Sequence, residues 1–220
     1  MDKLRMRFSK TSRAIYISHL DLMHTLQRAF SRAGYELKYS EGYNPHPIIS
    51  IALPLSVGTS SVCEILDFKL KGDMDLAEFS SRLTSALPEG IEVIEVYEGE
   101  RKCAEIKWLK VSGVFEYDER PAEDILPELI KFFAQENIII SKKSKRGISD
   151  TDIRPMIKEI EFALSNDNSI SVNALISAQE PTMNPELIAD ALRQKMSALA
   201  PDFAKFTRLE TYDASMRIFR

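Results

Sequence analysis

The spacing of hydrophobic residues changes repeatedly between two and about 3.6 along the chain, which predicts alternating strands and helices. Residues 3–9 alternate apolar residues with Arg5 and Arg7, which predicts a strand with a basic outer face. Residues 19–33 carry apolar residues at helical spacing. Ser18 stands at the position of an N-cap and Gly34 at the position that ends a helix.

Similar patterns continue through the first half of the chain. A second extended piece is predicted at "AIYIS", further strands at "YELKY", "IISIAL", "VCEILDFKL" and "IEVIEVY", and a helix at "DMDLAEFSSRLTSAL". The second half repeats this order. Strands are predicted at "IKWLKVSGVFEY", "NIIIS", "PMIKEIEFAL", "SISVNALI" and "FAKFTRLETY", and helices at "PAEDILPELIKFFAQE" and "NPELIADALRQKMSAL".

Each half therefore follows the order β-α-β-β-α-β, which describes a ferredoxin-like sandwich with helices on one face of an antiparallel sheet. The prediction is an α+β protein with two such sandwiches in tandem, residues 1–102 and residues 103–220. The alternative is one continuous α+β domain.

The stretch "YSEGYNPHP" concentrates turn residues around one of only three histidines. Gly42 can supply a positive φ, and Pro45 and Pro47 hold His46 on stiff backbone. This loop is predicted to join the second and third strands of the first half. The basic loop 142–154 is predicted to occupy the matching corner of the second half.

A ligand pocket is predicted where the first helix begins, against the "NPHP" loop. Free backbone N–H groups and the positive end of the helix dipole at Ser18 suit an anionic group. The candidate ligand-binding residues are Ser18, His19, Asp21, Tyr43, Asn44, His46 and Glu64. The alternative is that the loop is a rigid structural plug with Tyr43 as its apolar anchor.

A second alternative is a small enzyme or a metal-binding protein built around His19, Asp21, His46 and Glu64. The spacing of these residues matches no zinc motif, and no metal is expected. The sequence also contains no phosphate-binding glycine loop and no nucleophile with an obvious base. Catalysis by this chain alone is therefore unsupported.

Charge is segregated although the net charge is only −4. Basic residues concentrate in residues 1–35 and 142–158, and acidic residues in residues 73–100. The candidates for binding an anion such as RNA are Arg5, Arg7, Arg13, Arg28, Lys142, Lys143, Lys145, Arg146 and Arg154. The alternative is solvated faces of mixed charge.

The amino-acid composition predicts the class of protein and its cellular compartment. Hydrophobic residues make up 44% and charged residues 28% of the chain, which is ordinary for a globular protein. No apolar run is long enough to span a membrane, and the first residues do not form a signal peptide. Cys63 and Cys103 form no metal-binding or redox pair. These features favour a reduced cytoplasmic protein with no membrane partner.

The motifs "YISHLDL", "RAFSRAG", "YSEGYNPHP", "LPLSVG" and "DIRP" resemble those of the radical SAM-linked proteins, an uncharacterised bacterial family. Members are fused to a radical S-adenosylmethionine protein or encoded beside one. The resemblance implies a radical SAM protein as partner. Any S-adenosylmethionine and iron–sulfur cluster are expected in that partner, because this chain has only two cysteines and needs three for the cluster.

The resulting interpretation is a non-catalytic accessory or substrate-binding module that works with a radical SAM enzyme and binds RNA through its basic residues. Ferredoxin-like sheets often bind RNA, and this analogy favours RNA as the ligand.

Overall fold

The computed structural model describes residues 3–72, 75–144 and 147–220. Its internal contacts separate two compact units, Met1–Glu105 together with Arg220, and Ile106–Phe219. The first unit has the order β-α-β-β-α-β, and the second has the same order with a two-stranded insertion, so the predicted fold class is confirmed. No helix in the described residues is long and apolar enough to cross a membrane.

The described residues of the first unit form four strands and two α-helices. They are β1 (Leu4–Lys10), α1 (His19–Arg32), β2 (Ile49–Ile51), β3 (Ser60–Phe68), α2 (Leu76–Ala86) and β4 (Ile91–Glu98). The strands pair antiparallel in the order β4-β1-β3-β2. Apolar residues at alternate positions of β1 and β3 meet the buried stripe of α1, and Phe30 packs on Phe68 with ring centroids 4.9 Å apart.

The second unit has the same plan with one insertion. Its elements are β5 (Trp108–Glu116), α3 (Ala122–Phe133), β6 (Ile139–Ser144), β7 (Gly147–Asp152), β8 (Ile157–Asn166), β9 (Ser169–Ser177), α4 (Glu186–Lys195) and β10 (Phe203–Tyr212). The main strands pair antiparallel in the order β10-β5-β9-β8. Strands β6 and β7 pair only with each other, and we call this hairpin the ribbon.

Three predicted strands differ in the structure. "AIYIS" lies largely in a short 3-10 helix, Ser12–Tyr16, because the chain must turn sharply from β1 into α1. "YELKY" is not a strand, since only Leu37 and Tyr39 form single bridges, to Leu70 and Pro47. "NIIIS" becomes β6 of the ribbon and not a strand of the main sheet.

These differences move both unusual segments relative to the prediction. The "YSEGYNPHP" loop lies between α1 and β2, and therefore precedes the second strand of its unit. The ribbon lies between α3 and β8, so it also follows the first helix and precedes the second sheet strand. The two segments occupy the same place in the chain order of their units.

Candidate functional site

The "YSEGYNPHP" loop is closed on itself at its base. Tyr39 bridges to Pro47, and the Ser40 backbone N–H donates to the carbonyl of His46 at 2.9 Å. The Ser40 hydroxyl accepts from the His46 backbone N–H at 3.1 Å and lies 3.0 Å from His46 Nδ1. Asn44 and His46 are exposed, and Tyr43 is fully exposed. Tyr43 is therefore not the apolar anchor of a plug.

The positive end of the α1 dipole is already compensated by residues at the start of the helix itself. The Ser18 hydroxyl accepts from the Asp21 backbone N–H at 3.2 Å and donates to Asp21 Oδ2 at 2.6 Å. The Asp21 carboxylate thus occupies the position near the helix dipole that an anionic ligand would take. The prediction of an anion at this helix start is weakened for that reason. His19 is half-buried beside this cap, and His24 is exposed.

A buried lysine lies beneath the junction that leads into α1. Lys10 is 1% exposed, and its Nζ donates to the carbonyls of Ile15 at 3.1 Å and Ile17 at 2.8 Å. Burial lowers the pKa of Lys10, and the nearby Glu64 carboxylate opposes this shift. Glu64 is 1% exposed, so it is part of the packed interior and not a surface ligand.

The predicted pocket is divided between two ends of the first unit. Lys10 and Glu64 lie where α1 begins, whereas Tyr39 and Pro47 line a groove with residues of its last two turns, from Gln27 to Ser31. The eight residues from His19 to Gln27 advance about 12 Å along a helix axis. The base of the loop thus lies near the end of α1 and His19 near its start, an arrangement that gives no support to a pocket shared by His46 and His19.

The alternative of a metal or enzyme site built around His19, Asp21, His46 and Glu64 gains no support from this arrangement. Across residues 3–72, 75–144 and 147–220, no three histidine, cysteine, aspartate or glutamate side chains are grouped so that they could hold a metal ion.

Arg5 was expected on a basic outer face, but its side chain is 0% exposed. Its Nε donates to Asp67 Oδ1 at 2.7 Å, and its Nη2 donates to Asp67 Oδ2 at 3.1 Å and to the Arg101 carbonyl at 2.8 Å. Lys3 Nζ lies 2.9 Å from Asp67 Oδ2. Arg5 is therefore not an anion-binding residue, because Asp67 already occupies its guanidinium.

The charges of this network shift one another's proton affinity. Burial opposes the charge on Arg5 and on Asp67, but their mutual hydrogen bonds outweigh it. The pKa of Arg5 is raised and the pKa of Asp67 is lowered. Burial, with Asp67 beside it, raises the pKa of the Cys103 thiol, which donates to Asp67 Oδ2 at 3.3 Å. This thiol is consequently held protonated and is not an activated nucleophile.

The other basic candidates of the first unit differ in their exposure. Arg7 Nη1 donates to Glu95 Oε1 at 3.2 Å, and its side chain is only 17% exposed. Arg13 and Arg28 are exposed. Arg28 lines the groove of about 480 Å³ between the end of α1 and the base of the loop. Two of the four N-terminal candidates can therefore meet a ligand from solvent.

The base of the ribbon is anchored to the second unit. Ile138, Ile140 and Ile153 are buried. The Ser141 backbone N–H donates to Gln194 Oε1 of α4 at 2.8 Å, and Gln194 Nε2 donates back to the Ser141 carbonyl at 3.2 Å. By contrast, residues 147–150 are exposed.

The structure describes three of the five basic candidates in residues 142–154. Lys142 is half-buried on β6, and Lys143 lies on the same strand. Lys145 and Arg146 fall outside the described residues. Arg154 lies past the base, where its Nη1 donates to the Ile157 carbonyl at 2.7 Å.

Sequence reasoning missed the partners that bury the first strand's charges. Asp67 stands opposite Arg5 in β3, and Glu95 stands opposite Arg7 in β4. An acid at the matching position of a neighbouring strand is the signal for such pairing, but the register that aligns them is not visible in one sequence.

A family model described as "Uncharacterized protein conserved in bacteria" (DUF2344) matches residues 3–185. The chain belongs to this family. A search of curated proteins finds no match.

Solved structures provide a likeness in fold. A chain of the "Crystal Structure of a Cbf5-Nop10-Gar1 Complex" matches with a TM-score of 0.51 and 10% identity, over 94% of this chain and 48% of that chain. The protein thus spans about half the length of that neighbour. A "Crystal Structure of an Unknown Protein from Galdieria sulphuraria" matches with a TM-score of 0.28 and 10% identity, over 94% and 98% of the two chains. Thermus thermophilus Cse3, solved with RNA, matches with a TM-score of 0.22 and 14% identity, over 94% and 99%.

Proposed function

We propose that this chain is a non-catalytic RNA-binding module that contacts phosphates with the distal half of the ribbon. The supporting observation is the contrast within the ribbon between its base, fixed to α4 through Ser141 and Gln194, and its exposed residues 147–150 beside a lysine-rich sequence. A β-ribbon of this kind can follow a nucleic-acid backbone, and lysine and arginine supply sequence-independent affinity for phosphate.

The decisive experiment compares two fourfold variants in binding a fluorescently labelled single-stranded RNA. One variant replaces Lys142, Lys143, Lys145 and Arg146 by alanine. The matched control replaces Lys38, Lys71, Lys110 and Lys131, which are all exposed and lie outside the ribbon. Both variants lose the same formal charge.

We expect the ribbon variant to bind more weakly and to lower the slope of log affinity against log salt by about 0.7 for each lost phosphate contact. The control should retain the slope of the unmodified protein. Equal losses in both variants would contradict a role for the ribbon, and no measurable affinity at low salt would reject RNA as the ligand.

The second part of the proposal is an accessory role with a radical SAM enzyme. It is supported by the motifs of the first sixty residues, which include the exposed Asn44 and His46. In this role the partner carries out the radical chemistry and this chain presents the substrate. Co-purification with any radical SAM protein that is encoded beside its gene, followed by sequencing of any bound RNA, tests both parts. A partner that neither co-purifies nor changes its turnover in the presence of this chain would reject the accessory role.

A further inference from the structure

Strand β8 forms one edge of the antiparallel sheet in the second unit. It is ten residues long and pairs with β9 on one side. Among the described residues, no backbone hydrogen bond joins residues 158–165 to any element other than β9. The outward N–H and C=O groups of this strand are therefore available to another strand, and an edge of this length usually needs cover.

A cavity of about 660 Å³ runs beside this edge. Helix α3 lines it with Ile130, Phe133 and Ala134, and β8 lines it with the continuous run from Lys158 to Ala163. Successive residues of a strand point to opposite faces of the sheet. A cavity that touches six successive residues must therefore lie alongside the strand, where an added strand would run.

The helix side of this edge is apolar. Phe162 lies against Phe133 of α3 with ring centroids 5.2 Å apart. Ile130 is 51% exposed and Leu164 is 49% exposed, so both present apolar surface at this edge. Apolar side chains from an added strand would cover these residues.

The opposite side of the same edge is acidic. Glu159 stands opposite Leu175 of β9, and Glu161 stands opposite Asn173, so both lie on the sheet face away from the helices. Both are exposed, and within the described part of the chain neither carboxylate has an ion-pair partner. The neighbouring Lys158 is directed to the Trp108 ring, with its Nζ 5.3 Å from the ring centroid.

The two glutamates argue against a second copy of this chain as the occupant. In a twofold antiparallel pair, residues of the same face stand opposite each other. Registers centred on residues 159, 160 or 161 would place Glu159 or Glu161 against itself or against the other. Like charges directly opposite each other destabilise a sheet, so these registers are disfavoured.

We propose that β8 is a docking strand for an extended segment of another protein in which basic residues alternate with apolar residues. The basic residues would stand opposite Glu159 and Glu161, and the apolar residues would pack against Ile130 and Phe162. Main-chain hydrogen bonds would supply affinity, and the alternation would supply specificity. This proposal uses residues other than those of the RNA-binding ribbon and does not depend on that function.

The test uses the full chain and a labelled octapeptide of alternating lysine and valine, with a glutamate–valine octapeptide as its counterpart. Binding is measured by fluorescence anisotropy at physiological salt. We expect the lysine–valine peptide to bind more tightly. The double substitution Glu159→Lys and Glu161→Lys should weaken its binding about tenfold and should reverse the preference toward the glutamate–valine peptide.

Two controls separate strand docking from attraction to an acidic protein. Glu78→Lys with Glu89→Lys makes the same charge change at exposed positions of the first unit and should leave the preference unaltered. A lysine–valine peptide with an N-methyl group on every backbone amide keeps the charge but cannot donate to a ladder from either edge, and should bind at least tenfold more weakly.

Ile130→Asp should also weaken binding, because it places a charge against the apolar side of the added strand. The proposal is overturned if the charge-reversed variant and its control behave alike, if the N-methylated peptide binds equally well, or if the unmodified chain binds neither peptide. Self-association through β8, seen as a dimer lost in the charge-reversed variant, would overturn it in favour of a second copy.

Discussion

Strand β1 and the ribbon both carry basic residues in the sequence, but the parts of the two regions that the structure describes have different environments. Arg5 of β1 is fully buried and held by Asp67, whereas Lys142 of the ribbon is half-buried and residues 147–150 of its second strand are exposed. The first arrangement stabilises a sheet, and the second suits a ligand. A cluster of lysine and arginine therefore indicates a binding surface only where neighbouring strands supply no acid at the matching register.

The largest effect is expected from Asp67→Ala. Removing this carboxylate leaves the Arg5 guanidinium buried without its bidentate partner, which typically costs about 3–5 kcal/mol of unfolding free energy. Urea denaturation measures the loss. The matched control is Glu116→Ala, which removes an ion pair to Lys205 whose side chains are 41% and 72% exposed. Such an exposed pair contributes about 0–1 kcal/mol. Equal losses of unfolding free energy in the two variants would contradict the distinction between the buried Arg5–Asp67 pair and the exposed Glu116–Lys205 pair.

Acid should remove the same stabilisation reversibly. The pKa of Asp67 is lower in the folded chain than in the unfolded chain because Arg5 and Lys3 hydrogen-bond to it. Its contribution is therefore complete above the unfolded pKa of about 4 and is lost as pH falls through the folded value. Thermal unfolding followed between pH 6 and pH 2 should show a smaller loss for Asp67→Asn than for the unmodified chain. Parallel pH profiles would mean that this carboxylate does not control acid stability.

A moderate effect is expected from the buried Lys10. Lys10→Met leaves the carbonyls of Ile15 and Ile17 without this donor and removes the positive charge near Glu64. We expect a loss of about 1–3 kcal/mol. Combining Lys10→Met with Glu64→Gln should cost less than the sum of the two single substitutions, because neighbouring charges are coupled. Strict additivity in a double-mutant cycle would show that the two side chains do not interact.

The smallest effect on stability is expected from His46→Ala. The imidazole is exposed, and its hydrogen bonds to Ser40 and Asn44 lie within its own loop. A change within about 0.5 kcal/mol is expected, as for other surface positions. Under the accessory role, the same variant should reduce the partner enzyme's reaction. A thermal midpoint several degrees lower would instead identify the loop as a structural element.

The "YSEGYNPHP" loop and the start of α1 show which structural features a sequence motif can predict and which it cannot. "YISHLDL" and "YSEGYNPHP" are close in sequence, and the capping interaction between Ser18 and Asp21 follows directly from their spacing. Their separation in space follows from the direction of α1, which carries the chain from one end of the sheet to the other. Spacing along a helix is local, whereas the meeting of two loops depends on which end of the sheet each loop reaches.

The sequence by itself determined the α+β class, the repeated order of elements and the helix caps, because hydrophobic periodicity and capping depend on residues only a few positions apart. Only the tertiary structure decided that Arg5 faces Asp67, that "NIIIS" leaves the main sheet for the ribbon, and that β8 is an edge strand. Each of these depends on strand register and strand order. Those are fixed by contacts between residues far apart in the chain, where a shift of one residue would turn a buried side chain to the opposite face.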